Sequence, residues 1–151
     1  MDDIITRQVN VDTPEYEQVW ELREALLRKP IGLSLKDEDL SDDAKDIILI
    51  AEKGGKVVGC LMLQPKTDVL IKFRQMAVYH EWQGKGIGAQ LMHAAEHIAV
   101  MHGYKQVVLH ARITAKDFYA GLDYIVTSDV FTEVGIDHVV MEKKLTDMIA
   151  Q

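Results

Sequence analysis

Met76-Ala77-Val78-Tyr79-His80-Glu81-Trp82-Gln83-Gly84-Lys85-Gly86-Ile87-Gly88 decides how this chain folds. Its first three residues end an apolar, β-prone run that begins at Val69. Its last five open an apolar-periodic stretch that reaches Gly103. The pattern sets a strand end beside a glycine-lined helix start. Glycine lets the backbone adopt left-handed angles and come close to an anion, while the first helical N–H groups and the positive end of the dipole point at it. This geometry grips phosphates, so the pattern predicts a phosphorylated cofactor as ligand.

Working outward, two β-prone runs precede Val69–Val78. Ile47 to Glu52 and Lys56 to Leu63 flank Gly54-Gly55, a two-residue hairpin signal, and Pro65 ends the pair. Further upstream, Thr13-Pro14-Glu15 reads as an N-cap, a first-turn proline and a favourable acid, with Val19, Leu22 and Leu26 at helical spacing and the helix ending before Pro30. The segment from Ile31 to Lys45 is acidic and poor in apolar anchors, which predicts an exposed loop or short helix. Downstream, Ile87, Leu91, Ala94, Ala95 and Ile98 share one helical face, and Gly103 stops that helix. A strand from Gln106 to His110, a short helix from Ala115 to Leu122, and two β-prone runs, Tyr124 to Phe131 and His138 to Leu145, complete the order. No repeat or low-complexity segment interrupts it.

At 151 residues and 48% hydrophobic content the chain can bury a core as one domain, residues 1–151. A formal charge of −7 argues against a nucleic-acid groove or an anionic membrane surface as partner. The single cysteine, Cys60, lies in the apolar run Val57–Leu63, so its expected role is core packing in a reducing compartment. Met1-Asp2-Asp3-Ile4-Ile5 has neither a basic region nor a long apolar segment, which fits a cytoplasmic protein.

Read together, Arg74-Gln75-Met76-Ala77-Val78, Gln83-Gly84-Lys85-Gly86-Ile87-Gly88 and Phe118-Tyr119 closely resemble the Gcn5-related N-acetyltransferases (GNAT), whose acetyl-CoA loop reads Gln/Arg-x-x-Gly-x-Gly/Ala. His110-Ala111-Arg112, Phe118-Tyr119, and Phe131 to His138 followed by Met141 further resemble the ElaA-like branch. Asp137 stands where that branch usually has proline, and Leu122-Asp123-Tyr124 replaces a usual Leu-Gly-Phe, so Asp123 must take a turn position normally held by glycine.

The resemblance implies an α/β (α+β) fold, a mixed and mostly antiparallel sheet flanked by helices that splays after the strand ending at Val78. Acetyl-CoA is then the co-substrate, with no metal. Met76, Ala77 and Val78 offer backbone groups to the pantetheine, Gln83, Gly84, Lys85, Gly86, Ile87 and Gly88 hold the pyrophosphate, and Phe118 and Tyr119 complete the cofactor site. Acetyl transfer to an amine needs a neutral nucleophile, a stabilised oxyanion and a proton for the departing thiolate. By resemblance Tyr119 is the general acid and the Val78 N–H the oxyanion donor. His110, Glu133 and His138 are alternative bases, acting directly or through water.

Rival readings exist. His93-Ala94-Ala95-Glu96-His97 matches a metallopeptidase signature, but helical geometry sets its three polar residues opposite Ile87, Leu91 and Ile98, on the solvated face. Gly84 to Ala89 also fits a dinucleotide fingerprint, without the acid expected about twenty residues on. A non-catalytic acetyl-CoA sensor on the same fold is the alternative of a different class. The acceptor is read as a small amine first and a protein lysine second. Val126, Val130, Val139 and Met141 serve either a core or an edge pairing, which leaves a homodimer open.

Overall fold

The computed structural model describes residues 3–145; Met1 and Asp2 of the N-terminal stretch lie outside the described residues. The chain forms two compact units, 3–64 with 75–95, and 65–74 with 96–145.

In the first unit, β1 (Ile5–Val9) pairs antiparallel with β2 (Ile47–Lys53), and β2 with β3 (Lys56–Pro65). The sequence pattern does not reveal β1, because Val9 is its one buried residue and it presents no apolar face. The β2–β3 hairpin closes at Lys53↔Lys56 with φ of 57° at Gly54 and 81° at Gly55, the paired positive angles of the favoured two-residue turn. Pro65 ends β3 from within its last position. Helix α1 (Pro14–Arg23) starts where expected, although the Thr13 hydroxyl donates to Asn10 O instead of capping the helix. The chain then widens into a π-helical turn over Glu24–Arg28 before Pro30.

Val19 and Leu22 of α1 bury themselves with Ile48, Ile50, Cys60 and Met62, so the thiol is a core group as expected. The segment from Ile31 to Lys45 is mostly exposed and short-helical, as expected, with two exceptions. It forms tight 3₁₀ turns at Leu35–Asp37 and Ser41–Lys45, and both Leu35 and Asp43 are buried. Asp43 is therefore not part of a solvated acidic face; it faces the Arg23 guanidinium at 2.7 Å.

Strand β4 (Leu70–Val78) and helix α2 (Ile87–Met101) each contribute to both units. In the first unit Gly59 lets β3, the end of β4 and α2 approach closely. A Cβ there would lie 3.2 Å from Leu91 Cδ1 and 3.3 Å from Ala77 O. The buried positions of α2, Ile87, Leu91, Met92, Ala95, Glu96 and Ala99, form a stripe that is wider than the expected one and rotated toward Met92. That rotation corrects the reading of His93, Glu96 and His97 as one solvated face. The two histidines are exposed, but Glu96 is buried, accepting hydrogen bonds from Tyr124 OH at 2.7 Å and Lys143 Nζ at 3.1 Å.

In the second unit, β4 runs parallel to β5 (Gln106–Arg112) from Leu70↔Gln106 to Phe73↔Leu109, and β5 runs antiparallel to β8 (Ile136–Lys144). The run from Tyr124 to Phe131, expected as one strand, is divided. Only β6 (Ile125–Val126) pairs with β8 there, and β7 (Phe131–Glu133) follows as a separate hairpin arm. Ser128 marks the break, its hydroxyl accepting the Val140 N–H. Val139 and Met141 are core residues, whereas Val126 and Val130 are exposed. Helix α3 (Lys116–Ala120) leads into a turn where Asp123 takes φ 73°, the glycine-like position anticipated for it.

Candidate active site

The first unit carries backbone chemistry. Gly84 and Gly86 adopt φ of 75° and 83°, and a Cβ added to either meets nothing within 4 Å. The loop is therefore an exposed cradle whose floor is main chain. Gly86 O accepts the first helical hydrogen bond of α2 from Gln90 N, so the N–H groups of Ile87, Gly88 and Ala89 belong to the helix's unsatisfied first turn. An open, glycine-lined loop that ends on such donors fits the pyrophosphate of a nucleotide-bearing co-substrate. Gln83 ties this loop to β4, donating from Nε2 to Val78 O at 2.8 Å. Two residues after the last β4–β5 pair, Gln75 takes φ 58°, an uncommon angle for a residue with a side chain, and Met76, Ala77 and Val78 follow it. Lys85 extends its ammonium over the Trp82 ring, 5.5 Å from the centroid.

The second unit carries side-chain chemistry. His110, third from last on β5, meets Glu133 at the end of β7, with Nδ1 2.9 Å from Oε2. Phe131 stands edge-on to His110 at 5.2 Å and stacks with His138 at 5.9 Å, so two of the three residues proposed as bases flank one phenyl ring and the third, Glu133, is bonded to His110. Their environments differ. His138 is buried and its Nδ1 lies 2.8 Å from Ile136 O, while His110 and Glu133 are partly open. Burial works to raise the Glu133 carboxyl. The His110 hydrogen bond and charge, with Lys72 and His138, outweigh it and hold Glu133 below the ordinary range. Lys72, which the sequence pattern did not single out, is lowered by its own burial, with Glu133 opposing the shift. Its signal was a cation between apolar neighbours, Ile71 and Phe73, in a β-prone run.

Tyr119 packs edge-on against Phe118 at 5.0 Å and against Tyr124 at 6.2 Å. Burial pushes its phenol up to about 12, with the Arg112 charge pulling the other way. Tyr124 itself is raised further by burial and by Glu96. Behind it, Lys143 Nζ also donates to Leu122 O, so a buried Glu96–Lys143–Tyr124 set holds the turn that follows α3.

Residues 12–145 match the family described as Acetyltransferase (GNAT) domain. The Bacillus subtilis (strain 168) protein YyaT is 29% identical over 75 residues, a match covering 50% of this chain and 51% of that protein. The chain thus spans about half the length of the curated relative it matches. Among solved structures, a candidate N-acetyltransferase from Lactobacillus plantarum is similar at 26% identity and TM-score 0.82, with 95% of this chain and 98% of that one covered. Escherichia coli ElaA is similar in fold at 19% identity and TM-score 0.82, covering 93% and 99%. An aminoglycoside 6′-N-acetyltransferase complexed with coenzyme A is similar in fold at 14% identity and TM-score 0.80, covering 93% and 97%.

Proposed function

We propose, from the premise that this chain belongs to the GNAT acetyltransferase family, that it acts as a single-domain enzyme transferring acetyl from acetyl-CoA to a primary amine, first of all that of a small molecule. The glycine cradle at the head of α2 carries the proposal, because its φ angles and open floor suit a pyrophosphate better than any side-chain contact would. The buried, single Cys60 fits a cytoplasmic setting.

In this reaction the backbone of Met76 and Val78 aligns the pantetheine, and the Val78 N–H donates to the oxyanion that develops at the thioester carbonyl. His110 is the base we favour over His138. With Nδ1–H donating to Glu133, His110 keeps its Nε2 lone pair for the amine proton, and Glu133 fixes the tautomer and orientation. His138 Nδ1 is engaged by a backbone carbonyl within the buried wall. Tyr119 hands its proton to the leaving sulfur as the amide forms. A phenol pushed up to about 12 stays protonated throughout the neutral range, as an acid must.

Calorimetric titration of acetyl-CoA and NADH into the protein and its Gly86→Val variant tests the proposal. Binding of acetyl-CoA alone, lost in the variant, supports it and justifies an amine screen with Tyr119→Phe. No acetyl-CoA binding by the unaltered protein would sink it.

A further inference from the structure

Gln75 is a glutamine in a conformation that glycine, asparagine and aspartate adopt far more readily. Such an angle persists only where the surroundings over-determine it. Here they do so from both ends of the residue. Its side-chain Oε1 accepts from Arg23 Nε at 3.2 Å, and its backbone carbonyl accepts from the Cys60 thiol at 3.4 Å. Burial pushes that thiol up to about 12, so the S–H remains a donor. Arg23 is anchored in turn. It is fully buried on α1, its Nη1 lies 2.7 Å from Asp43 Oδ2, and the same oxygen accepts from Tyr16 OH at 2.6 Å.

A guanidinium and a carboxylate this deeply buried are a costly way to fill a core, since apolar residues of the same volume commonly serve stability as well or better. Their presence calls for what the pair holds. The chain of contacts runs from Tyr16 through Asp43 and Arg23 and ends on the one positive-φ residue that directly precedes Met76, Ala77 and Val78. A change of angle at Gln75 re-aims every N–H and C=O that follows on β4, because successive backbone groups alternate in direction along a strand.

We propose that the Tyr16–Asp43–Arg23 network is a positioning device that locks Gln75 in its left-handed conformation and thereby aims the Met76–Val78 backbone at acetyl-CoA. Arg23, Asp43 and Gln75 are positioning residues in this assignment and make no contact with the reacting atoms. The proposal rests on the acetyl-CoA reading for its ligand, but the order it imposes on Met76–Val78 is a property of the free protein.

Gln75→Gly is the informative variant, because glycine keeps φ near 58° without strain while deleting the tether. Three readouts apply: thermal midpoint, acetyl-CoA KM and Kd beside the amine KM, and amide hydrogen exchange of the 76–78 segment without ligand. The expected result is an unchanged midpoint, acetyl-CoA KM and Kd raised about tenfold with the amine KM unmoved, and faster exchange at 76–78. Gln75→Glu, which restores an acceptor for Arg23, is expected to recover both affinity and exchange. Native exchange together with native acetyl-CoA affinity in Gln75→Gly would overturn the proposal. If the unaltered protein fails to bind acetyl-CoA, the functional reading fails by itself. The exchange contrast then still decides the tether, and equal exchange in the two proteins overturns it.

Discussion

The two units carry different kinds of candidate group. In the first, Gly84, Gly86 and the Met76–Val78 segment offer main-chain donors and acceptors, and side chains such as Gln83 serve to hold that main chain in place. In the second, His110, Glu133 and Tyr119 offer titratable side chains, drawn from β5, β7 and α3 and set by aromatic packing around Phe131 and Tyr124. The contrast teaches that a binding function written in backbone angles tolerates changes in side-chain identity but not in φ. An acid–base function behaves in the opposite way.

The strongest way to break this contrast is Tyr119→Phe. It keeps the ring packing and removes only the proton, so kcat is expected to fall by about a thousandfold while acetyl-CoA affinity stays native. An unchanged kcat in steady-state assays would return Tyr119 to plain packing. The converse change, Gly86→Val, places a β-branched residue at φ 83° and fills the cradle, and acetyl-CoA affinity is expected to drop about a hundredfold with the midpoint of unfolding lowered only modestly. Calorimetry reads the first and a thermal melt the second.

Glu133→Gln sharpens the side-chain half. It retains the shape but loses the charge that orients His110, and kcat is expected to fall about tenfold with little change in either KM. The same residue sets a pH dependence of stability. Its folded carboxyl lies below the ordinary range, so the His110–Glu133 contribution is complete above the unfolded carboxylate value and is lost as the pH falls through the lowered folded value. Melts of native protein and Glu133→Gln are expected to differ at neutral pH and to converge in acid. In the alkaline direction, a phenol raised to about 12 predicts no loss of kcat near pH 10, where an ordinary tyrosine is half ionised.

The smallest effect comes from a turn. Gly54-Gly55 and Val134-Gly135 both close two-residue hairpins with two positive φ angles, but Val134 takes φ 48° with a β-branched side chain. Val134→Asn is expected to relieve that strain and stabilise the protein by about 1 kcal/mol in chemical denaturation. Activity should stay native, since Glu133↔Ile136 pairing is preserved. A loss of activity would mean that the strained turn aims Glu133.

Features with a local code were legible from the sequence. The hairpin at Gly54-Gly55, the glycine loop and the Asp123 turn each depend on a residue's own backbone preferences, and each stands where it was read. Features that depend on a partner far along the chain were not. Asp43 read as solvated because its neighbours are acidic, yet Arg23 and Tyr16 bury it. Glu96 read as solvated because Ala94 and Ile98 drew the apolar face toward themselves, yet Tyr124 and Lys143 turn the helix the other way. Strand β1 escaped because an edge strand with one buried residue carries no periodic signal.

The β2–β3 hairpin, the glycine loop at the head of α2, the family and the candidate acid and bases were therefore legible in short-range pattern, since glycine angles, turn chemistry and motif spacing act within a few residues. Which base meets which carboxylate, which charges are buried, and what holds Gln75 in a conformation it does not favour were decided only by tertiary structure. Those outcomes follow from desolvation and hydrogen bonding between groups 20 to 52 residues apart, and no local pattern encodes the partner that makes such burial affordable.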